Sequence, residues 1–194
     1  MADCSTKSNE DKKLVKRVLK GDGRAFESIV RKYQKRLYFT VRKIVTSHED
    51  TDDILQETFI KAYSRLETYN DEYPFYPWLH RIAINTAINH YKKYGTRKES
   101  SLNGMIDDGN PFPSNLRNPH RQVEQSELNK LVRVALEKLP LEQKVVFILR
   151  TSEELSYAEI SERLNISIGT VMSRLSRARE KLRKLLRGYF VSIS

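Results

Sequence analysis

Cysteine is all but missing from this sequence: among 194 residues Cys4 is the single thiol, which excludes an internal disulfide and a cysteine-built zinc cage. It sits in a polar N-terminal stretch and fits a reducing compartment. Glycine and proline are scarce too, at seven and six residues. None of the glycines falls into G-x-x-x-x-G-K or G-x-G-x-x-G, so nothing points to a phosphate-cradling loop or to nucleotide hydrolysis. No apolar run approaches about 18 residues, and Met1-Ala2-Asp3-Cys4-Ser5-Thr6-Lys7 lacks the apolar core of a signal peptide. Neither membrane insertion nor secretion is indicated, and the cytoplasm is the expected location. The four histidines, His48, His80, His90 and His120, lack metal-ligand spacing and are expected at the surface. No metal, cofactor or small-molecule substrate has a residue basis.

What the chain has is positive charge. Its 35 Lys and Arg stand against 25 Asp and Glu, a formal net charge of +10, and such an excess favours a polyanionic partner. A hydrophobic fraction of 39% is enough for small cores. Strand-like alternation is absent from the sequence, whereas helical spacing recurs. Leu14, Val15, Val18 and Leu19 lie on a first helix between Lys12 and Lys20, with Gly21 placed to end it. Asp22 can cap a second, long helix with the stripe Phe26, Val30, Tyr33, Leu37, Val41 and Ile44. Ser47-His48-Glu49-Asp50 has capping-box character ahead of a third helix with Leu55, Phe59, Ala62 and Leu66 inward. An aromatic turn from Tyr69 to Tyr76 follows, and Pro77 is expected at the first position of a fourth helix with Leu79, Ile82, Ala83 and Thr86 on one side.

Between Gly95 and Glu127 the pattern fails, because Gly104, Gly109, Pro111, Pro113 and Pro119 punctuate a Ser-, Asn- and Asp-rich stretch. Charge supports a cut there: about +5 precedes it, about −1 lies within it and about +6 follows. Helical spacing resumes with Leu128, Leu131, Ala135 and Leu139, then Pro140, then Val145, Val146, Ile148 and Leu149. Ser156-Tyr157-Ala158-Glu159 reads as a capping box opening a helix with Ile160 and Leu164 inward. Asn165-Ile166-Ser167 breaks it before a last helix from about Ile168 to Leu186. The expected fold is all-α, with two small helical domains at 10–94 and 127–188 joined by a flexible linker at 95–126.

Three constellations carry chemistry. On the last helix, Val171, Leu175, Ala178, Leu182 and Leu185 face inward, leaving Thr170, Ser173, Arg174, Arg177, Lys181 and Lys184 largely outside. From Leu164 onward Glu180 alone opposes seven Lys and Arg, a bias that a merely solvated helix does not need. Helix, tight turn, helix places its second helix in a major groove, where Arg forks onto guanine and residues near the helix start, Ser167, Gly169 and Thr170, meet bases or phosphates. The plainer alternative is a structural helical hairpin with a basic surface. Tyr69, Tyr73, Phe75, Tyr76 and Trp78 precede a helix bearing Arg81, Asn85, Asn89, Lys92 and Lys93 on one polar stripe. Rings beside cations suit unpaired bases, and the asparagines, poor helix formers, offer amides to a base edge. A core role for these rings, Trp78 included, is the alternative. Asp53, Gln56, Glu57 and Lys61 form an exposed face on the third helix that is either solvated or a docking surface; without a histidine or an implied pocket it does not suggest catalysis.

Taken in order, these segments resemble the sigma-70 family of bacterial RNA polymerase sigma factors, in the short extracytoplasmic function (ECF) group. Asp53-Ile54-Leu55-Gln56-Glu57-Thr58-Phe59-Ile60-Lys61-Ala62-Tyr63 is similar to the segment that grips the clamp helices of core polymerase. The resemblance makes Asp53, Gln56, Glu57 and Lys61 docking residues. Phe75-Tyr76-Pro77-Trp78-Leu79-His80-Arg81-Ile82-Ala83-Ile84-Asn85 resembles the segment that opens promoter DNA and captures the non-template strand of the minus-10 element. Asn89 and Lys92 stand where that pattern commonly has Asp and Arg. Ser156-Tyr157-Ala158-Glu159-Ile160 and the run from Gly169 to Arg179 resemble the region that reads the minus-35 element as duplex. The linker is too short for the middle domain of larger sigma factors. The resemblance implies core RNA polymerase, promoter DNA and an anti-sigma factor as partners, and binding rather than covalent catalysis. An autonomous helix-turn-helix regulator, a metal-dependent nuclease or RNA-binding enzyme, and a sigma-like adaptor unable to start transcription are the other readings. The first would leave the aromatic cluster idle.

Overall fold

The structure, a computed structural model, describes residues 3–45, 47–95 and 130–191. The chain divides into two compact units, Met1–Lys98 and Glu99–Ser194. Most of the expected linker, and His120 with it, lies outside the described residues.

In the first unit, α1 (Asp3–Leu19), α2 (Gly23–Ile44), α3 (His48–Ser64) and α4 (Phe75–His90) follow in order. A single 3-10 turn at Leu66–Thr68 precedes α4, and a π-helical turn at Tyr91–Gly95 ends it. The first helix begins well before Lys12, so the stretch read as a polar tail, Cys4 included, is helical. Gly21 has φ +93°, the left-handed conformation that an L side chain resists, and this lets the chain reverse within one turn. Asp22 caps α2 by accepting from the backbone N–H of Arg24 and Ala25 at 3.1 and 3.3 Å. Its carboxylate also takes two hydrogen bonds from Arg17 at 3.0 and 2.7 Å, which hold its pKa below the ordinary aspartate value.

The core stripe of α2 is rotated from the expected one: Ala25, Ile29, Tyr33, Leu37, Val41 and Ile44 are buried, while Phe26 and Val30 are half-buried. Phe26 instead meets Phe59 and Tyr63 of α3 edge-on, at 6.5 and 5.0 Å between centroids. On α3 the buried set includes Thr51 and Thr58, which pattern-reading counts as polar. Each hydroxyl is satisfied inside the helix, Thr51 by the Ser47 carbonyl at 2.7 Å and Thr58 by the Ile54 carbonyl at 2.6 Å, so burial leaves no orphan. Ser47 caps α3 by accepting from the Asp50 N–H at 3.3 Å.

Pro77 does not open α4. The helix starts at Phe75 with Pro74 as its cap, and Pro77 sits third. The first four N–H groups of a helix have no partner within it, so proline there forfeits no hydrogen bond. Helices α3 and α4 pack on one another, and Ala62, Ala83 and Ala87 are fully buried in the unit. His80 is also fully buried, with its ring centroid 5.4 Å from that of Tyr76, so the expectation of a surface histidine fails there. His48 is half-buried and hydrogen-bonded to the Tyr38 hydroxyl, and His90 packs against Tyr94. Both were expected at the surface; a neighbouring aromatic packs against each.

In the second unit, α5 spans residues 130–137, followed by α6 (Leu141–Thr151), α7 (Tyr157–Leu164) and α8 (Ile168–Val191). Pro140 caps α6. Ala135, Leu136, Leu139, Ala178 and Leu182 form one buried cluster, onto which Val132, Phe147, Leu185 and Leu186 fold. The capping box at α7 is complete: Ser156 accepts from the Glu159 N–H at 3.2 Å, and Glu159 accepts from the Ser156 N–H at 2.8 Å. Asn165 ends α7 in the left-handed region, φ 53°, the conformation asparagine tolerates best after glycine. That residue sets the tight turn into α8, which continues past Leu186 to Val191.

Candidate polymerase and nucleic-acid interfaces

The α3 face has the expected composition. Asp53, Gln56 and Glu57 are exposed and Lys61 is half-buried. Lys61 Nζ lies 2.6 Å from Glu57 Oε1 and donates to Thr86 Oγ1 of α4 at 3.5 Å. Glu57 is therefore neutralised by an ammonium rather than waiting for a cation, and no cluster suited to a metal occurs among the described residues. Two apolar residues missed by the composition argument share this helix: Ile60 is 61% and Tyr63 53% exposed. A charged helix that keeps an exposed Ile and Tyr beside its carboxylates has the make-up of a protein interface.

At the aromatic corner the sequence-predicted residues separate into a surface and its support. Tyr73 is 66% exposed. Trp78 is half-buried, its centroid 5.5 Å from Tyr69 and 5.3 Å from Phe75. Phe75 is 1% exposed, so it offers no face to a base; its place is corrected from contact surface to support. The reason is packing, since Tyr33 of α2 and Tyr69 close on it at 5.9 and 5.1 Å. Tyr69 is buried as well and donates its hydroxyl to the Tyr73 carbonyl at 2.5 Å, fixing the turn. Burial raises its pKa. Arg81, Asn85 and Asn89 are exposed along α4, and Lys92 and Lys93 continue exposed on the π turn. Two residues escaped sequence reading. Arg36 of α2 lies over the Tyr76 ring at 3.6 Å, with no local signal to reveal it. Tyr94, 40% exposed beneath Lys93 at 4.9 Å, was legible in principle as an aromatic following two lysines. Its hydrogen bond to Lys93 raises the lysine's pKa.

In the second unit, Ser167 caps α8: its Oγ accepts from the Thr170 N–H at 3.1 Å and lies 2.8 Å from Thr170 Oγ1. Ser173 donates to the Thr170 carbonyl at 3.1 Å. Ser167, Gly169, Ser173 and Arg177 are exposed and Thr170 is half-buried, so these predicted residues line up along the start of one helix. Arg174 differs from expectation. It is half-buried and donates to Glu142 Oε2 at 2.7 Å, a residue in the first turn of α6 that its distance in sequence concealed. Farther along, Glu180 pairs with Lys184 at 2.8 Å, while Arg177, Arg179, Lys181, Arg183 and Arg187 remain exposed. Ile168 and Met172, 47% and 53% exposed, add apolar area to the same helix.

Residues 29–97 match the family model described as Sigma-70 region 2, and residues 129–182 match that described as Sigma-70, region 4. The chain is also 36% identical over 181 residues to the RNA polymerase sigma-H factor of Pseudomonas aeruginosa, covering 91% of this chain and 94% of that one. It is a sigma-70 family sigma factor of the ECF group. The ECF RNA polymerase sigma-E factor of Escherichia coli is 39% identical over 177 residues, covering 89% of this chain and 92% of that protein. Among solved structures, CnrH in complex with the cytosolic domain of CnrY has the same fold, with TM-score 0.61, 24% identity, and 92% of this chain and 98% of that one covered. So does the sigma factor RpoE in complex with the anti-sigma factor NepR from Bartonella quintana, with TM-score 0.60, 23% identity, and 84% and 96% covered. The sigma factor's α3 face and aromatic corner both fall within its region 2, and α8 begins within its region 4. As an ECF sigma factor it directs RNA polymerase in transcription initiation. Among the described residues no helix is long and apolar enough to cross a membrane.

Proposed function

We propose that residues 10–94 dock core RNA polymerase and trap the melted minus-10 strand, that 95–126 tether, and that 127–188 read the minus-35 element as duplex. In this reading the α3 residues Asp53, Gln56, Glu57 and Lys61 grip the polymerase, with Ile60 and Tyr63 adding apolar area. Tyr73 and Trp78 stack on or wedge between unpaired bases, Arg81, Lys92 and Lys93 hold phosphates, and the Asn85 and Asn89 amides address base edges. Phe75 supports Trp78 rather than touching DNA. Ser167, Gly169, Thr170, Ser173, Arg174 and Arg177 enter the major groove at the start of α8. Two tethered sites engage one promoter, so each suffices with modest affinity. The mechanism is binding and remodelling, without covalent chemistry, in the cytoplasm. By the family resemblance, an anti-sigma factor that covers these surfaces is included as a partner.

The observation that carries this reading is half-buried Trp78 and exposed Tyr73 at the head of a helix whose outer stripe is Arg, Asn, Asn, Lys, Lys. A self-sufficient duplex reader has no use for it. Run-off transcription with core polymerase on a pool of genomic fragments tests it. Discrete transcripts that vanish with Trp78→Ala or Arg174→Ala are the expected result. Tight fragment binding without polymerase and no transcripts would mean an autonomous regulator. Glu57→Lys is expected to weaken core binding while leaving duplex affinity unchanged, as measured by competition for core and by gel shift.

A further inference from the structure

Helix α1 lies before residue 29, where the region 2 match begins, yet it carries a buried polar device aimed at the aromatic corner. Asp11 is 5% exposed. Its Oδ2 accepts from the Tyr33 hydroxyl at 2.5 Å and its Oδ1 from Lys32 Nζ at 2.7 Å. Lys32 also donates to Glu10 Oε2 at 2.7 Å, which keeps Glu10 below its ordinary pKa. A carboxylate taken out of water survives when its lone pairs are filled this way. The Tyr33 ring, held at its hydroxyl end, lies 5.9 Å from Phe75 and 5.6 Å from Tyr76, the first two residues of α4. Arg36 lies over the Tyr76 ring, and Phe75 seats Trp78 at 5.3 Å. Burial, with the Asp11 charge beside it, pushes the Tyr33 phenol far above its usual pKa, so it stays a donor throughout the working range.

We propose that Asp11 is a positioning residue for strand capture: through the Tyr33 hydroxyl it anchors the ring on which Phe75 and Tyr76 are set, and Phe75 in turn seats Trp78. This rests on the reading of the aromatic corner as the single-strand surface. A hydrophobic contact alone would bury Tyr33 without pinning the far end of its ring; a hydrogen bond at the para oxygen anchors that end, while Phe75 and Tyr76 pack against the ring itself. The docking residues of α3 take no part in this chain of contacts, so core binding and strand capture should separate on mutation.

The test uses the full chain with core polymerase on a promoter recovered from the run-off selection. Two variants are compared with wild type: Tyr33→Phe, which keeps the ring and removes only the hydroxyl, and Asp11→Asn, which keeps the shape and removes the charge. Permanganate reactivity of unpaired thymines reads strand capture, a fluorescent non-template minus-10 oligonucleotide reads affinity for the strand, and competition for core reads docking. The expected result is a loss on the order of fivefold in strand affinity and open-complex yield for either variant, with core affinity unchanged. Equal fall of core affinity and strand affinity, tracking a lower melting temperature, would reduce Asp11 to a stability role and overturn the proposal. Strand capture at wild-type level in both variants would overturn it as well. Wild type that binds core yet opens no promoter would instead sink the strand-capture reading itself, which separates the two failures.

Discussion

On the proposed function, the two units solve different recognition problems with different materials. The region 2 surface is a set of rings seated on rings: Trp78 on Phe75, Phe75 on Tyr33 and Tyr69, all backed by the unit's apolar core. The region 4 surface is a single helix whose long cations stand in solvent, with Arg174 steadied by one carboxylate. A stacking platform for an extruded base has to keep its shape when no DNA is present, because each base gains only what a fixed ring offers. A duplex presents a regular row of phosphates and base edges, so flexible cations on a rigid helix suffice. Preorganisation therefore sits in the ring packing of the first unit, whereas the second needs only a rigid helix under exposed cations.

Truncating a support should break that contrast most sharply. Phe75→Ala is expected to destabilise the first unit by about 3–5 kcal/mol, against less than about 0.5 kcal/mol for the exposed Tyr73→Ala. Urea unfolding of the full chain, followed by circular dichroism, checks both. A small loss at Phe75 would mean that the platform is not built on the core. Next in size, Arg174→Ala should lower promoter affinity by about 1–3 kcal/mol if the fork reads a base pair. Gel shifts on promoter and random duplex decide, since equal loss on both marks a phosphate contact.

The capping box of α7 gives a smaller, pH-dependent effect. Hydrogen bonds from the Ser156 hydroxyl and backbone hold the Glu159 carboxyl below its ordinary pKa. A carboxylate whose folded pKa is lowered contributes stability above the unfolded value and loses it as pH falls through the folded one. Ser156→Ala should cost about 1 kcal/mol near neutrality. Its deficit should shrink as the pH falls below the ordinary glutamate value and through the lowered folded one. A pH series of melting curves for wild type and variant measures it. Smallest is Glu142→Gln, which frees Arg174 and removes the negative charge beside it. Affinity for random duplex should rise modestly and the salt slope steepen by about one, sharpening the picture of a surface held in check by one carboxylate.

Much of this was written in local sequence. Gly21, Asp22, Ser156 with Glu159, and Asn165 act within one turn of themselves, so their roles follow from backbone chemistry alone. The exposed stripe Arg81, Asn85 and Asn89 followed from helical period. What escaped depends on partners far along the chain. Glu142 and Arg174 meet only after α6 and α8 pack, and Arg36 finds Tyr76 only because α2 and α4 are neighbours. Phe75 looked like a contact because aromatic composition does not say which ring is underneath. Pro77 misled by one-half turn, since any of the first helical positions tolerates proline. His80 is buried because α4 has neighbours on more sides than its apolar stripe advertises.

The fully buried alanines Ala62, Ala83 and Ala87 bear on how force passes through the first unit. Small side chains have few rotamers to adjust, and a close-packed interior resists compression. Ala62 lies on α3 and Ala83 and Ala87 on α4, two helices that pack on one another, and buried side chains this small leave little slack within the unit. If the α3 face docks polymerase as proposed, a torque applied there would be delivered to the rings of α4 as a rigid rotation, the way a short stiff lever acts.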